Sequence, residues 1–229
     1  LFPSAYLNRK IGENHSFTLS YSRRITRPGF RQLNPFIYYT SINSIQEGNP
    51  NLHPYYGNNL QLEYLLKRMY SVTFGFQNIA DGITNKITNS GDLVISRDEN
   101  IYDDHNFFIS LYTPIKITSW WKLDINTTIR NTTINIHTQP EIHRSKLSEN
   151  FWAALKFDLP KGYYVQISGF YNRNGFYGIY DAKNFRRIDL SFKKSFLNNT
   201  LATEIALIDP YHLYRSGYIV SNNNFKRNV

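Results

Sequence analysis

RITRPGFRQLNPFIYYTSINSIQEGNPNLHP, residues 24–54, holds four of the nine prolines, yet a two-residue rhythm flanks it on both sides. Upstream, residues 15–25 place Phe17, Leu19 and Tyr21 on one face and Ser16, Thr18, Ser20, Ser22 and Arg24 on the other. Downstream, residues 59–67 place Leu60, Leu62, Tyr64 and Leu66 opposite Asn59, Gln61 and Glu63. Alternation of this kind marks a strand with one wet face and one dry face. A connection of roughly thirty residues between two such strands exceeds what compact domains ordinarily use, so a functional loop is expected here.

The same rhythm recurs along the chain. Residues 1–11 read as a first strand with Ala5 and Leu7 outward, and the tight turn GEN follows. Further strands are expected over 69–79, 105–113, 119–131, 148–159, 162–172, 185–195 and 200–208. The cleanest begins at Trp121, where Trp121, Leu123, Ile125 and Ile129 alternate with Lys122, Asp124, Asn126, Thr128 and Arg130. Short turns at Lys67–Arg68, near Pro114, at Pro160-Lys161-Gly162 and around Leu197 alternate with longer connections. The long ones are expected at 24–54, 80–104, 137–144 and 172–181, with Asp81-Gly82 and Ser90-Gly91-Asp92 as turn signals in the second. About ten strands joined in this unequal way predict an all-β, antiparallel, up-and-down transmembrane β-barrel, here a partial one, with short periplasmic turns and long extracellular loops. A soluble sandwich would carry shorter strands and loops of similar length at both ends.

Composition fits this reading. Hydrophobic residues are 41% and lean to aromatics, with 18 Tyr and 16 Phe. The mean hydropathy of −0.46 leaves no apolar run near the roughly 18 residues of a spanning helix, but a barrel strand needs only about 9–11 alternating residues. No cysteine is present, which excludes disulfides and thiolate metal sites. The net charge of +9 raises a nucleic-acid reading, but the 26 Lys and Arg are scattered over the polar phases. Several lie two residues from an acid: Lys122 and Asp124, Lys156 and Asp158, Arg187 and Asp189. Same-face charges of opposite sign suit an internally neutralised wet wall, and no nucleic-acid partner is expected.

RITRPGFRQLNPF (24–36) followed by EGNPNLHP (47–54) resembles the barrel of TonB-dependent outer-membrane receptors, in the form abundant in Bacteroidetes. The likeness continues more weakly to about Ser221. Members of that family usually carry an acidic residue after the second proline, where this chain has Tyr55. The resemblance implies the outer membrane of a Gram-negative bacterium, with membrane lipid, the protein's own plug domain and a TonB-type energising complex as partners. It implies import of a nutrient, with a small-molecule or oligosaccharide ligand left open. No globular segment reads as a plug, and SNNNFKRNV does not read as a closing strand. Residues 1–229 are therefore expected to form the C-terminal part of a barrel domain, plug and final strand absent. The other reading is a structural or adhesive surface barrel without transport.

Candidate chemistry is sparse. The six histidines show no ligand spacing, and Asp98, Glu99, Asp103 and Asp104 lack the Gly turn of a dedicated calcium loop. No nucleophile motif or phosphate-cradling loop appears, so neither an enzyme nor a cofactor is expected. Trp121, Tyr163, Tyr70 and Phe157 fall beside short turns, where an interfacial girdle belongs. In the long loop, Arg27, Arg31, Phe36, Tyr38, Tyr39, Tyr55 and Tyr56 are the candidate substrate contacts. Phe176, Tyr177 and Tyr180 form a second loop set. Prolines restrict φ, so the long loop is expected to be folded, packed on its aromatics, with Arg27 and Arg31 hydrogen-bonded to neighbouring backbone or carboxylates.

Overall fold

The computed structural model describes residues 2–177, 180–198, 200–215, 217–222 and 225–228. The side chains of residues 176, 177, 180, 218–222 and 225–228 lie outside the described set, and with them the expected loop aromatics Phe176, Tyr177 and Tyr180.

Ten strands form one antiparallel wall. In spatial order these are β1 (Ser4–Ile11), β2 (His15–Thr26), β5 (Tyr55–Leu66), β6 (Tyr70–Ser90), β7 (Leu93–Lys116), β8 (Trp121–Ile136), β9 (Ile142–Leu159), β10 (Tyr163–Arg173), β13 (Phe185–Phe196) and β14 (Leu201–Ile208). Two short strands of the long loop, β3 (Ile37–Ser41) and β4 (Ser44–Glu47), join the same sheet. A separate four-stranded sheet is made by β11 (Phe176–Tyr177), β12 (Tyr180–Ala182), β15 (Tyr218–Asn222) and β16 (Phe225–Asn228). Among the described residues, β1 and β14 pair on one side only, so the wall is a partial barrel.

Register shows why these sequences make a wall. Leu7, Leu19, Leu62, Phe74, Ile109 and Ile129 lie opposite one another in turn across six strands, and every one is exposed. On the same face, Ile115, Leu123, Leu155, Ile167, Leu190 and Leu207 make a second row, from β7 to β14. Apolar side chains that stay exposed over such a span exceed the patches a soluble monomer tolerates. The ladders pair the backbone groups that hydrocarbon cannot satisfy.

The opposite face is polar and self-neutralising. Lys122 and Lys156 face each other across β8 and β9, and each reaches diagonally to the acid beyond: Lys122 to Asp158 at 2.6 Å, Lys156 to Asp124 at 2.5 Å. Arg187 pairs with Asp189 at 2.9 Å. Phe108 lies directly opposite Gly75 and fills the space a side chain would take there, so a Cβ on Gly75 would approach the ring to 2.1 Å. Arg130 then lies 4.7 Å from the Phe108 ring centre and donates to Gln77 at 3.2 Å.

The short turns gather at one end. Gly12, Lys67, Arg68, Lys161, Gly162, Leu197 and Asn198 there adopt positive φ. Three of the expected girdle residues gather with them: Trp121 and Phe157 stack with Trp120, ring centres 6.0 to 6.3 Å apart, and Tyr163 packs 5.8 Å from Phe192 beneath Lys194, while Tyr70 opens β6.

At the other end one expectation fails. Residues 80–104 are no loop. β6 and β7 run on for 21 and 24 residues as one continuous hairpin, about twice what spanning requires. The turn lies at Ser90-Gly91-Asp92, where Gly91 has φ +61°. Asp81-Gly82 is a bulge: the register shifts between Ile79 and Gly82, and Asp81 takes φ +55°. The 137–144 connection is likewise shorter, since β8 reaches Ile136 and β9 starts at Ile142.

The strand phase yields a direct expectation. Cysteine-linked probes at Leu123 and Asp124 in the intact protein report lipid and water, respectively; the reverse result contradicts the sidedness, because a one-residue slip would turn every charge into the hydrocarbon.

Candidate functional site

The stretch 24–54 folds back as a platform on the β6–β7 hairpin. Above Tyr102, β7 has no β8 partner, and β4 takes that edge in parallel, with Ser44 opposite Val94 and Glu47 opposite Arg97. β3 then pairs antiparallel with β4, placing Tyr38 opposite Gln46 and Tyr39 opposite Ile45.

Local chemistry fixes the path. A single turn of helix, α1 (Phe30–Leu33), is entered through Gly29, whose amide donates to Gln32 Oε1 at 2.8 Å. The two Asn-Pro steps form Asx turns. Asn34 Oδ1 accepts from the Phe36 amide at 3.3 Å, and Asn49 Oδ1 accepts from the Asn51 amide at 3.1 Å.

Polar contacts from β7 hold the platform. Arg97 donates to Glu47 and Asn49, the Asn49 amide side chain donates to the Asp98 carbonyl, and Gln32 Nε2 donates to Asp98 Oδ2 at 2.9 Å. Asn100 accepts from the His53 amide and returns a bond to the His53 carbonyl. A half-exposed pair such as Arg97 and Glu47 contributes at most about 1 kcal/mol, so its role is registration rather than bulk stability. Ile45, Leu52 and Asn49 are the buried side chains of the stretch.

Asn100 also donates to the Asp81 carbonyl in the bulge, and the Asp81 amide donates to Asp103. Asp103 meets His137 Nε2 at 2.9 Å, while His137 Nδ1 meets Glu141 at 3.0 Å. Facing two carboxylates, the ring donates from both nitrogens only as imidazolium. The hydrogen bond to Asp103 leads in raising the His137 pKa above the ordinary histidine value. Burial pushes Asp103 up, but the bonds from His137 and the Asp81 amide outweigh it and hold the carboxyl below its usual range. The acidic residues thus disperse: Glu99 pairs with Lys86, Asp103 with His137, and Asp104 accepts from Tyr102 and Asn106.

The sequence candidates separate. Arg31 and Tyr38 come together, the guanidinium 5.3 Å from the ring centre, on a cleft of about 140 Å³ shared with Gln32, Gln46, Glu47 and Asp98. Tyr39 belongs to the other face of the hairpin and is 78% exposed; Phe36 is 69% exposed, and Ile42 at the tip 96%. Tyr55 and Tyr56 open β5 rather than lying in a loop, and Tyr56 carries Arg23 at 4.4 Å over its ring. Arg27 is exposed. Two expectations are corrected. Among the described residues, neither the Arg27 nor the Arg31 side chain makes a hydrogen bond or ion pair; Arg31 lies over the Tyr38 ring and Arg27 is exposed. Nor do aromatics pack the stretch; Ile45 and Leu52 do. Reading the sequence missed Gln46, Glu47 and Arg97 and met Asp98 only within an acidic run; the parallel β4–β7 pairing brings the four together.

Gly48 is where segment 47–49 crosses 32–34. A Cβ there would lie 1.9 Å from the Asn34 carbonyl oxygen and 3.0 Å from that of Gln32, both backbone atoms. Gly48→Ala is expected to cost roughly 1–3 kcal/mol of local overpacking. Limited proteolysis within 37–46 should rise while the barrel stays folded; unchanged protection contradicts the crossing.

His137 supplies a pH dependence. Its raised pKa makes the clasp fully present below the unfolded value of about 6.5 and lost as pH rises through the higher folded value. Asp103, depressed, contributes above the ordinary carboxylate range and is lost as pH falls through its lowered value. An NMR titration of His137 should give a midpoint above that of an exposed histidine, and Asp103→Asn should bring it down; a midpoint indifferent to Asp103→Asn contradicts the clasp.

Comparison with known proteins agrees with this architecture. No curated protein matches the sequence. Among solved structures, the siderophore receptor PirA from Pseudomonas aeruginosa superimposes with a TM-score of 0.73 at 14% identity, covering 95% of this chain and 40% of that one. The chain thus spans less than half of that receptor, and the likeness at this identity is one of fold. A model of the outer membrane protein beta-barrel family matches residues 1–229. The match runs along the same wall that carries the apolar rows, so the chain belongs to the outer membrane protein beta-barrel family and resides in the Gram-negative outer membrane.

Proposed function

We propose that this chain is part of a receptor barrel that binds a nutrient outside the cell and passes it inward, with residues 24–54 as the ligand-contacting element. The observation that carries the reading is the pairing of Arg31 and Tyr38 on one cleft, on a platform that Arg97 and Gln32 fix through Glu47, Asn49 and Asp98. An ordered platform binds with less entropy lost than a free loop of the same length. The polar face of the wall, with its lysines and aspartates paired internally, suits a wet lumen through which a polar ligand or a plug can move. Coupling to a plug and a TonB-type complex comes from the family resemblance and from the likeness to a siderophore receptor.

One observation favours the adhesive alternative. Phe30, Phe36, Tyr39 and Ile42 are all exposed on this platform, an apolar tip suited to contact with another surface.

Deleting residues 37–46 in the intact protein separates these readings. Normal barrel assembly with lost ligand uptake is the expected result. Failed assembly would make the platform structural, and normal uptake with normal assembly would reject the binding role.

A further inference from the structure

We propose that the cleft beside Arg31 and Tyr38 takes one neutral sugar residue of an oligosaccharide, a ligand class that rests on the receptor reading above. Three polar groups in the cleft are left over by the fold. Arg31, the Tyr38 hydroxyl and the Gln46 amide make no hydrogen bond among the described residues, although Tyr38 and Gln46 are directly paired across β3 and β4. Beside them stands the Asp98 carboxylate. It accepts from Gln32 and Asn85 side-chain amides and meets no cation, since Arg97 is drawn to Glu47 and Asn49.

Donors and acceptors therefore alternate within one small space. A guanidinium gives only donors, a carboxylate only acceptors, and an amide gives both. A sugar hydroxyl both donates and accepts, so adjacent hydroxyls of one ring can serve Asp98 and Arg31 at once. The C–H face of the same ring is apolar and lies against the electron-rich face of an aromatic such as Tyr38.

Size excludes the main competitors. At about 140 Å³ the cleft is well below the roughly 300–1,000 Å³ that encloses a drug-sized ligand. It accommodates a single ring, with the rest of a chain outside. An iron tris-catecholate is several rings across and exceeds this volume, so the charge of Arg31 alone does not favour it. A peptide would need room for several successive side chains, and the cleft holds one group only.

The test uses the intact, detergent-solubilised protein against an array of neutral oligosaccharides, with a ferric tris-catecholate and cyanocobalamin as comparison probes. At least one neutral glycan should be retained. Asp98→Asn and Tyr38→Ala should each weaken it about tenfold or more, as expected for a lost charge-assisted bond or stacking surface. Tyr38→Phe should keep most of the affinity, and Phe30→Ala, an exposed change outside the cleft, all of it. No retained glycan, or retention indifferent to both Asp98→Asn and Tyr38→Ala, overturns the assignment. Should the catecholate or cobalamin bind instead, with loss in Arg31→Ala and Tyr38→Ala, the sugar falls and the binding platform stands. Should removal of 37–46 leave uptake intact, the receptor reading itself falls.

Discussion

Backbone N–H and C=O groups cannot be left unpaired in hydrocarbon, and an isolated strand cannot pair its own. Everything in this protein follows from meeting that demand with strands whose side chains alternate between lipid and water. Pairing ten strands in one register satisfies the ladders and at the same time aligns Leu7, Leu19, Leu62, Phe74, Ile109 and Ile129 in a row. The polar phase is carried to the other face by the same geometry. There the charges find partners diagonally rather than directly opposite, as with Lys122 and Asp158 or Lys156 and Asp124, which keeps the wall hydrated without net local charge.

Above the lipid the constraint relaxes, and the chain uses the freedom to build. β6 and β7 continue past the membrane, the bulge at Asp81 redirects the pair, and β7 is left with an open edge. The chain closes that edge with its own β4, an internal answer to the hazard that exposed edges pose. In doing so it brings residues some fifty positions apart, Glu47 and Arg97, into one site. The His137 clasp ties the β8–β9 connection to the same bulge, so three outer connections share one set of polar contacts.

How much of this could be read from sequence depended on whether a face was dry. Within the membrane, one phase must be apolar, and Phe17 to Tyr21 or Trp121 to Ile129 announce their strands. Above it, the apolar residues of NKITNSGDLVISRDEN (85–100), Ile87, Leu93, Val94 and Ile95, fall on both faces, so periodicity vanishes although the strands persist. Asp81-Gly82 misled for a physical reason: the positive φ that marks a turn serves a bulge equally well. The turns at the Asn-Pro steps are a local event, since an Asx turn needs only the asparagine and the amide two residues on. β4 was not legible, because its partner lies fifty residues away and its pairing is parallel. Hence Arg31 and Tyr38 could be nominated from sequence, whereas Asp98 and Gln46, which complete their cleft, could not.

The claim on which most depends is that the stretch 24–54 is docked on the outer β6–β7 hairpin rather than free above it. Pulsed electron resonance between spin labels at Ile42 and Ser90, on the intact protein in outer-membrane vesicles, addresses it directly. Both positions are exposed hairpin sites whose labelling leaves the contacts from Arg97, Asp98 and Asn100 untouched. Docking through β4 predicts one narrow distance distribution, broadened when Arg97→Ala removes the contacts to Glu47 and Asn49. A broad distribution in the unmodified protein, indifferent to Arg97, would contradict it.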